Sequence, residues 1–379
     1  VYYDEISNLM QSGVIAPPGP PPAPAIPDRL IVDFITSPSL AGNLLGDPAT
    51  KEMLVYLPPS YQNSPNQAYP VVYLLHGFLG DHTYFTAPGV NALVQAVGNM
   101  DLGMDIGTLA DTLIANQEIN EMIIVLPNAM NKYGGSWYEN NPVIGNYRSY
   151  IAQDLVAYID GKYRTKADRQ NRGIAGHSMG GCGALSLAME YPNTFGAVAA
   201  LSPGNPNDID IQPTYYEVFF KNSPGSLRSP VPILTRADQW TVFFNSFDVN
   251  MFYSLAAAYS PNAENQPFLV DLPVQYPGKT VLPEIWQKWK EHDLIHQIAR
   301  NGENLQNTAI FIDLGVGPVL LMEEVTGVDK VLEALKTQNV PYTYEEFFGD
   351  HLSHIREQTA HGLKFMSAAF SKTTEIPGW

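Results

Sequence analysis

Ser178 lies in the run Gly176-His177-Ser178-Met179-Gly180, which fits the pattern G-x-S-x-G. A serine hydroxyl is a weak nucleophile until a base takes its proton, and a tight strand-to-helix corner is one way to present it to both base and substrate. The neighbouring residues suit such a corner. Glycines at 176, 180, 181 and 183 let strand and helix approach closely and tolerate strained backbone. Gly173-Ile174-Ala175-Gly176 reads as a short buried strand, Ala184 to Met189 is rich in helix formers, and Pro192 ends that helix. The chemistry this would serve is attack on an acyl carbon. The plainer reading is a glycine-rich turn carrying an ordinary serine, and the flanking strand and helix argue against it.

A base is required next. His351 follows the strand-like run Tyr342 to Phe347 and the turn Gly349-Asp350. Hydrolases with this kind of elbow carry their residues in the order Ser, acid, His, with the histidine just after the last strand. His354 and His361 compete, but His351 sits directly after the glycine turn. His76, ahead of Gly77, is expected to brace a loop, and His177, inside the elbow, is expected to pack. The run from Tyr69 to Leu75 is an apolar strand that ends at His76-Gly77, where such folds build half of an oxyanion hole. The backbone N–H groups of Phe78 and Met179 are therefore the expected donors to a developing oxyanion. No metal-ligand spacing appears among the histidines and nearby acids, so no metal is expected. Cys182, the single cysteine, is expected to be a buried structural thiol; alone, it says nothing about compartment.

These residues need a scaffold, and the chain reads as alternating strands and helices. Strands are expected at 29–34, 51–57, 69–75, 121–127, 173–176, 197–202, 309–315 and 342–347, with helices over 90–116, 147–163, 286–300 and 323–336. That alternation predicts an α/β class with a mostly parallel central sheet flanked by helices, and the G-x-S-x-G elbow between strand and helix narrows the expectation to an α/β-hydrolase fold. Residues 1–28, dense in proline toward their end, read as an arm or linker, and 29–379 as one hydrolase domain. The stretch from Pro203 to about Pro283 breaks the alternation. It is too long for a simple connection and too apolar for disorder, so it is expected to be a cap or lid insertion. The loop Gly134-Gly135-Ser136-Trp137-Tyr138 should share the sheet edge with Ser178; lining a substrate wall and simple packing of Trp137 are both open. Asp154 is expected to be structural.

Composition narrows the partners. Lys and Arg number 21 against 38 Asp and Glu, a net charge of −17, which argues against nucleic acid. No run of 18 apolar residues is present, so no membrane-spanning segment is expected. The chain begins at Val1 without a methionine or a signal-peptide pattern, which raises the expectation of a processed, secreted product without fixing the compartment.

Taken together, Leu75-His76-Gly77, Gly134-Gly135-Ser136-Trp137-Tyr138, Tyr163-Arg164-Thr165, Gly176 to Gly181 and Glu345 to His351 resemble a family of esterases. That family includes esterase D (S-formylglutathione hydrolase), the feruloyl and acetylxylan esterases of carbohydrate esterase family 1, and the mycobacterial mycolyltransferases. The similarity runs from about Arg29 to Phe370 and is strongest from Gly134 to Ser202. It implies a serine esterase with a Ser-His-acid triad, no cofactor, and a small-molecule or polysaccharide-linked ester as substrate. One feature departs from the pattern. The relatives end their seventh strand in G-x-x-D, and here the stretch is Gly315-Val316-Gly317-Pro318, with proline where the acid is expected. Glu323 is the preferred replacement, with Asp313, Asp208 and Asp210 as alternatives; at a helix start, Glu323 could equally be a macrodipole partner. Two functions follow: an active carboxylic-ester hydrolase, for which acyl transfer to an alcohol is a variant, or a weakly active or non-catalytic binding scaffold.

Overall fold

Val71-Val72-Tyr73-Leu74-Leu75 and Ile123-Ile124-Val125-Leu126-Pro127 are apolar without interruption, a composition suited to strands covered on both faces, and every one of these residues is buried. They are the middle of an eight-stranded sheet. The computed structural model describes residues 29–86, 105–204, 229–275, 280–317 and 327–372. Its strands are β1 (Leu30–Thr36), β2 (Thr50–Tyr56), β3 (Val71–Leu75), β4 (Ile123–Pro127), β5 (Arg172–His177), β6 (Ala197–Leu201), β7 (Ala309–Gly315) and β8 (Thr343–Phe347). Their spatial order is β1-β2-β4-β3-β5-β6-β7-β8. β2 is antiparallel to both β1 and β4, and all pairs from β4 to β8 are parallel. Parallel strands joined by crossovers put their C-terminal ends on one edge, and loops leaving that edge form the site in open α/β sheets.

Alternate residues face opposite layers. Val71, Tyr73 and Leu75 join a core with α3 (Met179–Glu190), while Val72 and Leu74 face α1 (Ile106–Ala115) and α9 (Ile355–Ser371). α2 (Val156–Lys162) continues a helical stretch that begins at Tyr147 and includes a π-helical segment, Tyr150–Leu155. The helix expected over 147–163 is thus present but not uniform. Asp154 within it accepts from the Ser37 hydroxyl and, at 3.0 Å, from Ser39 N, a structural role.

Within the stretch read as an insertion, α4 (Arg236–Asn245) opens on a capping box between Thr235 and Asp238, and α5 (Phe247–Tyr259) follows. Phe252, Tyr253, Leu255 and Ala256 of α5 belong to the same apolar cluster as α3, so this part of the chain shares the domain's core. The helix expected over 286–300 is two: α6 (Pro283–His292) and α7 (Leu294–Asn301). The break falls at Asp293, whose side chain caps Ile295 N at 2.7 Å. α8 (Val328–Thr337) starts after Gly327, and residues 323–326 of the helix expected there lie outside the described residues, as do 90–104, the arm at 1–28 and 205–228. No helix among the described residues is long and apolar enough to cross a membrane.

Candidate active site

Ser178 stands between the end of β5 and the start of α3 with φ 58° and ψ −121°, a left-handed backbone setting that side chains avoid without support. Support comes from both sides. Ser178 N donates to Leu201 O at 3.0 Å, and Gly204 N donates to Ser178 O at 3.0 Å. The turn is too tight for side chains: a Cβ on Gly180 would lie 2.2 Å from Leu75 O, and one on Gly176 would lie 2.4 Å from the Gly180 carbonyl carbon. The glycines flanking the serine are thus required by contact with backbone, which cannot yield.

His351 is carried on the loop after β8, and its Nε2 lies 2.7 Å from Ser178 Oγ. The structure therefore brings the two residues together across 173 positions of sequence. Burial pushes the His351 pKa down to about 4, which keeps the ring neutral and able to accept a proton from the serine. Three sets of bonds hold its loop. Gly317 N donates to Gly349 O at 2.7 Å. Asp350 Oδ1 accepts from Leu352 N, Ser353 N and Ser353 Oγ at 2.8 to 3.0 Å. His177 Nε2 meets the carbonyl oxygen of His351 at 2.8 Å. His354 and His361 point to other partners, Glu357 at 3.8 Å and Glu345 at 3.2 Å.

The other ring nitrogen of His351, Nδ1, is sealed from solvent with no hydrogen-bond partner among the described residues. Asp313, one of the alternative acids, is fully buried on β7, with Oδ1 accepting from Ser202 N at 2.7 Å. Its Oδ2 likewise has no partner among the described residues. The structure thus supplies no hydrogen bond between Asp313 and His351. Burial, partly offset by the Ser202 N–H, raises the Asp313 pKa to about 8. Glu323, Asp208, Asp210 and Pro318 lie outside the described residues.

Met179 is the first residue of α3, where N–H groups have no acceptor inside the helix. Phe78 follows Gly77, where a Cβ would come 3.3 Å from the Ser178 Cβ, so the expected donor pair flanks the serine. The Phe78 loop is fixed by Leu79 N to Gly134 O at 2.8 Å and by His76. His76 Nε2 accepts from Ala129 N at 2.9 Å, so its hydrogen sits on Nδ1, which donates to Gly77 O at 2.9 Å. Burial holds that ring neutral, with its pKa down to about 4, so His76 braces the loop as one fixed tautomer.

The aromatic loop packs against the same residues. Trp137 is buried, stacks on Phe78 at 6.4 Å, and donates from Nε1 to Ser254 Oγ on α5 at 3.0 Å. Tyr138 donates its hydroxyl hydrogen to His76 O at 2.9 Å. Cys182, one turn along α3, donates to Gly204 O at 2.8 Å, and burial raises its thiol pKa well above the usual range. Among the described residues no group of three or more His, Cys, Asp or Glu side chains could hold a metal ion.

Sequence reasoning gave His177 only a packing role. The contact its Nε2 makes is to the main-chain carbonyl of His351, which leaves no mark on residue type, so no signal in the sequence pointed to it.

The fold recurs in known proteins. A ferulic acid esterase structure superposes with a TM-score of 0.54, covering 90% of this chain and 98% of the other at 20% identity, which shows the shared α/β-hydrolase fold. In sequence, the chain is 27% identical over 195 residues to the endo-1,4-beta-xylanase/feruloyl esterase of Xylanibacter ruminicola, covering 48% of this chain and 24% of that protein. It is 33% identical over 155 residues to an esterase of Mycobacterium tuberculosis, covering 39% of this chain and 28% of the relative. The match therefore spans only about a quarter of the length of these curated relatives. The model of the family described as "Putative esterase" matches residues 49–355, most of the chain, and the chain belongs to that family.

Proposed function

We propose that the chain is a serine carboxylic-ester hydrolase. The observation that carries this reading is the 2.7 Å approach of His351 Nε2 to Ser178 Oγ at a strained elbow; family membership supports it independently. Ser178 Oγ attacks the acyl carbon while His351 takes its proton. The Phe78 and Met179 N–H groups hold the oxygen that becomes negative, and the tetrahedral intermediate collapses as His351 returns the proton to the leaving alcohol. Water then attacks the acyl-enzyme with His351 again as base, releasing the acid and restoring the serine. An alcohol in place of that water would make the same site an acyl transferase. No cofactor is required by any of these steps.

The third member is proposed to be Glu323, from the segment after β7. The buried Nδ1 of His351, which has no partner among the described residues, is where such a carboxylate would act, holding the tautomer and stabilising the imidazolium. A relative named endo-1,4-beta-xylanase/feruloyl esterase supports a small-molecule or polysaccharide-linked ester as substrate. Pro318, standing where the relatives carry the acid, supports a second reading, a hydrolase scaffold that binds an ester-like ligand with little turnover.

Hydrolysis of p-nitrophenyl acetate and butyrate by wild type, Ser178→Ala and Glu323→Gln separates these. Turnover that Ser178→Ala abolishes and Glu323→Gln cuts by about 10³-fold or more supports the esterase with its displaced acid. Loss in the serine variant alone removes Glu323 from the site. Wild-type rates equal to Ser178→Ala on both esters would favour the binding scaffold.

A further inference from the structure

The buried histidine ahead of the serine has both ring nitrogens engaged, and its partners come from the other two loops of the site. Nε2 lies 2.8 Å from the carbonyl oxygen of His351, an atom that can only accept, so Nε2 carries a hydrogen. Burial keeps the ring neutral, which leaves Nδ1 as an acceptor, and the Tyr84 hydroxyl donates to it at 2.8 Å. The Tyr84 ring lies along that of His177, with centroids 5.9 Å apart and planes at 27°. Tyr84 also abuts the loop that leads to Phe78: a Cβ on Gly77 would stand 3.0 Å from its hydroxyl oxygen, and one on Gly80 would stand 2.5 Å from its ring. Tyr84 and His177 therefore touch the oxyanion loop, the elbow and the base loop at once.

We infer that Tyr84 and His177 form a positioning relay that sets the main chain of His351 relative to Ser178. The inference rests on the esterase reading above. A triad acid orients the imidazole through Nδ1, but it does not fix where the histidine's own peptide stands. Here that peptide is tied directly to the residue next to the nucleophile, while Nδ1 has no partner among the described residues. The bond is directional, since only a nitrogen carrying hydrogen can hold the carbonyl. Tyr84 enforces that condition: with its hydroxyl donating to Nδ1, the hydrogen of His177 is confined to Nε2. Neither residue exchanges a proton with substrate; both act through the position of His351, and a displacement of that base by about 1 Å would slow the reaction by about 10²-fold.

The test compares His177→Leu, His177→Gln and Tyr84→Phe with wild type and Ser178→Ala. The readouts are kcat and KM on p-nitrophenyl butyrate, thermal melting, and the rate at which a fluorophosphonate probe labels Ser178. The leucine variant should lose about tenfold or more in kcat with KM nearly unchanged, and probe labelling should slow in parallel. Glutamine places an amide N–H near the position of Nε2 and should restore most of the rate, although it melts no higher than the leucine variant. Tyr84→Phe should fall between them. A merely structural histidine would give rates that follow melting temperature and no rescue by glutamine. Wild-type kcat in His177→Leu, or equal losses in the leucine and glutamine variants, would overturn the relay while leaving the esterase intact. If wild type turns over no ester beyond Ser178→Ala and the probe leaves Ser178 unlabelled, the esterase reading fails and the relay fails with it.

Discussion

Asp313 Oδ1 accepts a 2.7 Å hydrogen bond from Ser202 N, holding a fully buried acid to the residue that follows the neighbouring strand. Its raised pKa, about 8 against 3.8 for the ordinary group, means that the folded chain keeps this proton after the unfolded chain has lost it. Between about pH 4 and 8 the folded state binds more protons, so this residue makes stability fall as pH rises, by on the order of 1 kcal/mol per pH unit within that window. Asp313→Asn keeps an acceptor for Ser202 N and removes the titration. Denaturant unfolding across that range should therefore show a shallower decline for the asparagine variant, with kcat near wild type. A loss of about 10⁴-fold in kcat would instead make Asp313 the acid that serves His351.

The acid limb of the pH–rate profile reports what faces His351 Nδ1. Burial alone places the ring at about 4, and the protonated ring cannot accept from serine, so kcat/KM should rise through the pKa and level above it. A carboxylate at Nδ1 favours the charged ring and moves the limb upward. Glu323→Gln should therefore shift the limb toward lower pH. Coincident limbs in the two proteins would exclude Glu323 from this role.

Two glycines near the serine should respond oppositely to alanine. A Cβ on Gly180 would meet backbone 2.2 Å away, at Leu75 O, so Gly180→Ala should destabilise the fold by about 3 kcal/mol or more. A Cβ on Gly204 would stand 3.2 Å from Ser178 Oγ and meets no backbone as closely. Gly204→Ala should melt near wild type and lose about tenfold in kcat, because the added methyl occupies space beside the attacking oxygen. Calorimetry together with steady-state kinetics on both variants checks the pair.

Cys182 should react slowly with iodoacetamide at pH 8 despite partial exposure, because its raised pKa leaves little thiolate. Cys182→Ser preserves a donor to Gly204 O and should keep activity within about twofold of wild type. Rapid alkylation of the native chain, measured by mass, would contradict this.

The elbow was legible because its strain has a chemical signature: glycine is demanded wherever the turn meets backbone, as at 176 and 180. The sheet was legible from its buried runs, since a strand covered on both faces leaves little room for polar residues. The break at Asp293 was missed although aspartate is a good N-cap, because the apolar pattern runs on across it. The π-helical segment at 150–155 left no mark in residue type. The His177 contact to His351 and the proposed oxyanion donors involve main-chain atoms, which every residue has, so only position could suggest them. The acid stayed ambiguous for a different reason: several carboxylates follow the strand ends, and sequence order alone does not choose among them.

The 173 residues that separate Ser178 from His351 give the site a history as well as a geometry. During synthesis the serine corner, β5 and α3 leave the ribosome long before β8 and the loop that brings the base. A nascent chain would therefore carry the proposed nucleophile without its proposed base until residue 351 has been made. Hydrolytic activity would then report that synthesis has passed residue 351: a chain stopped just before it can hold every strand of the sheet and still do no chemistry.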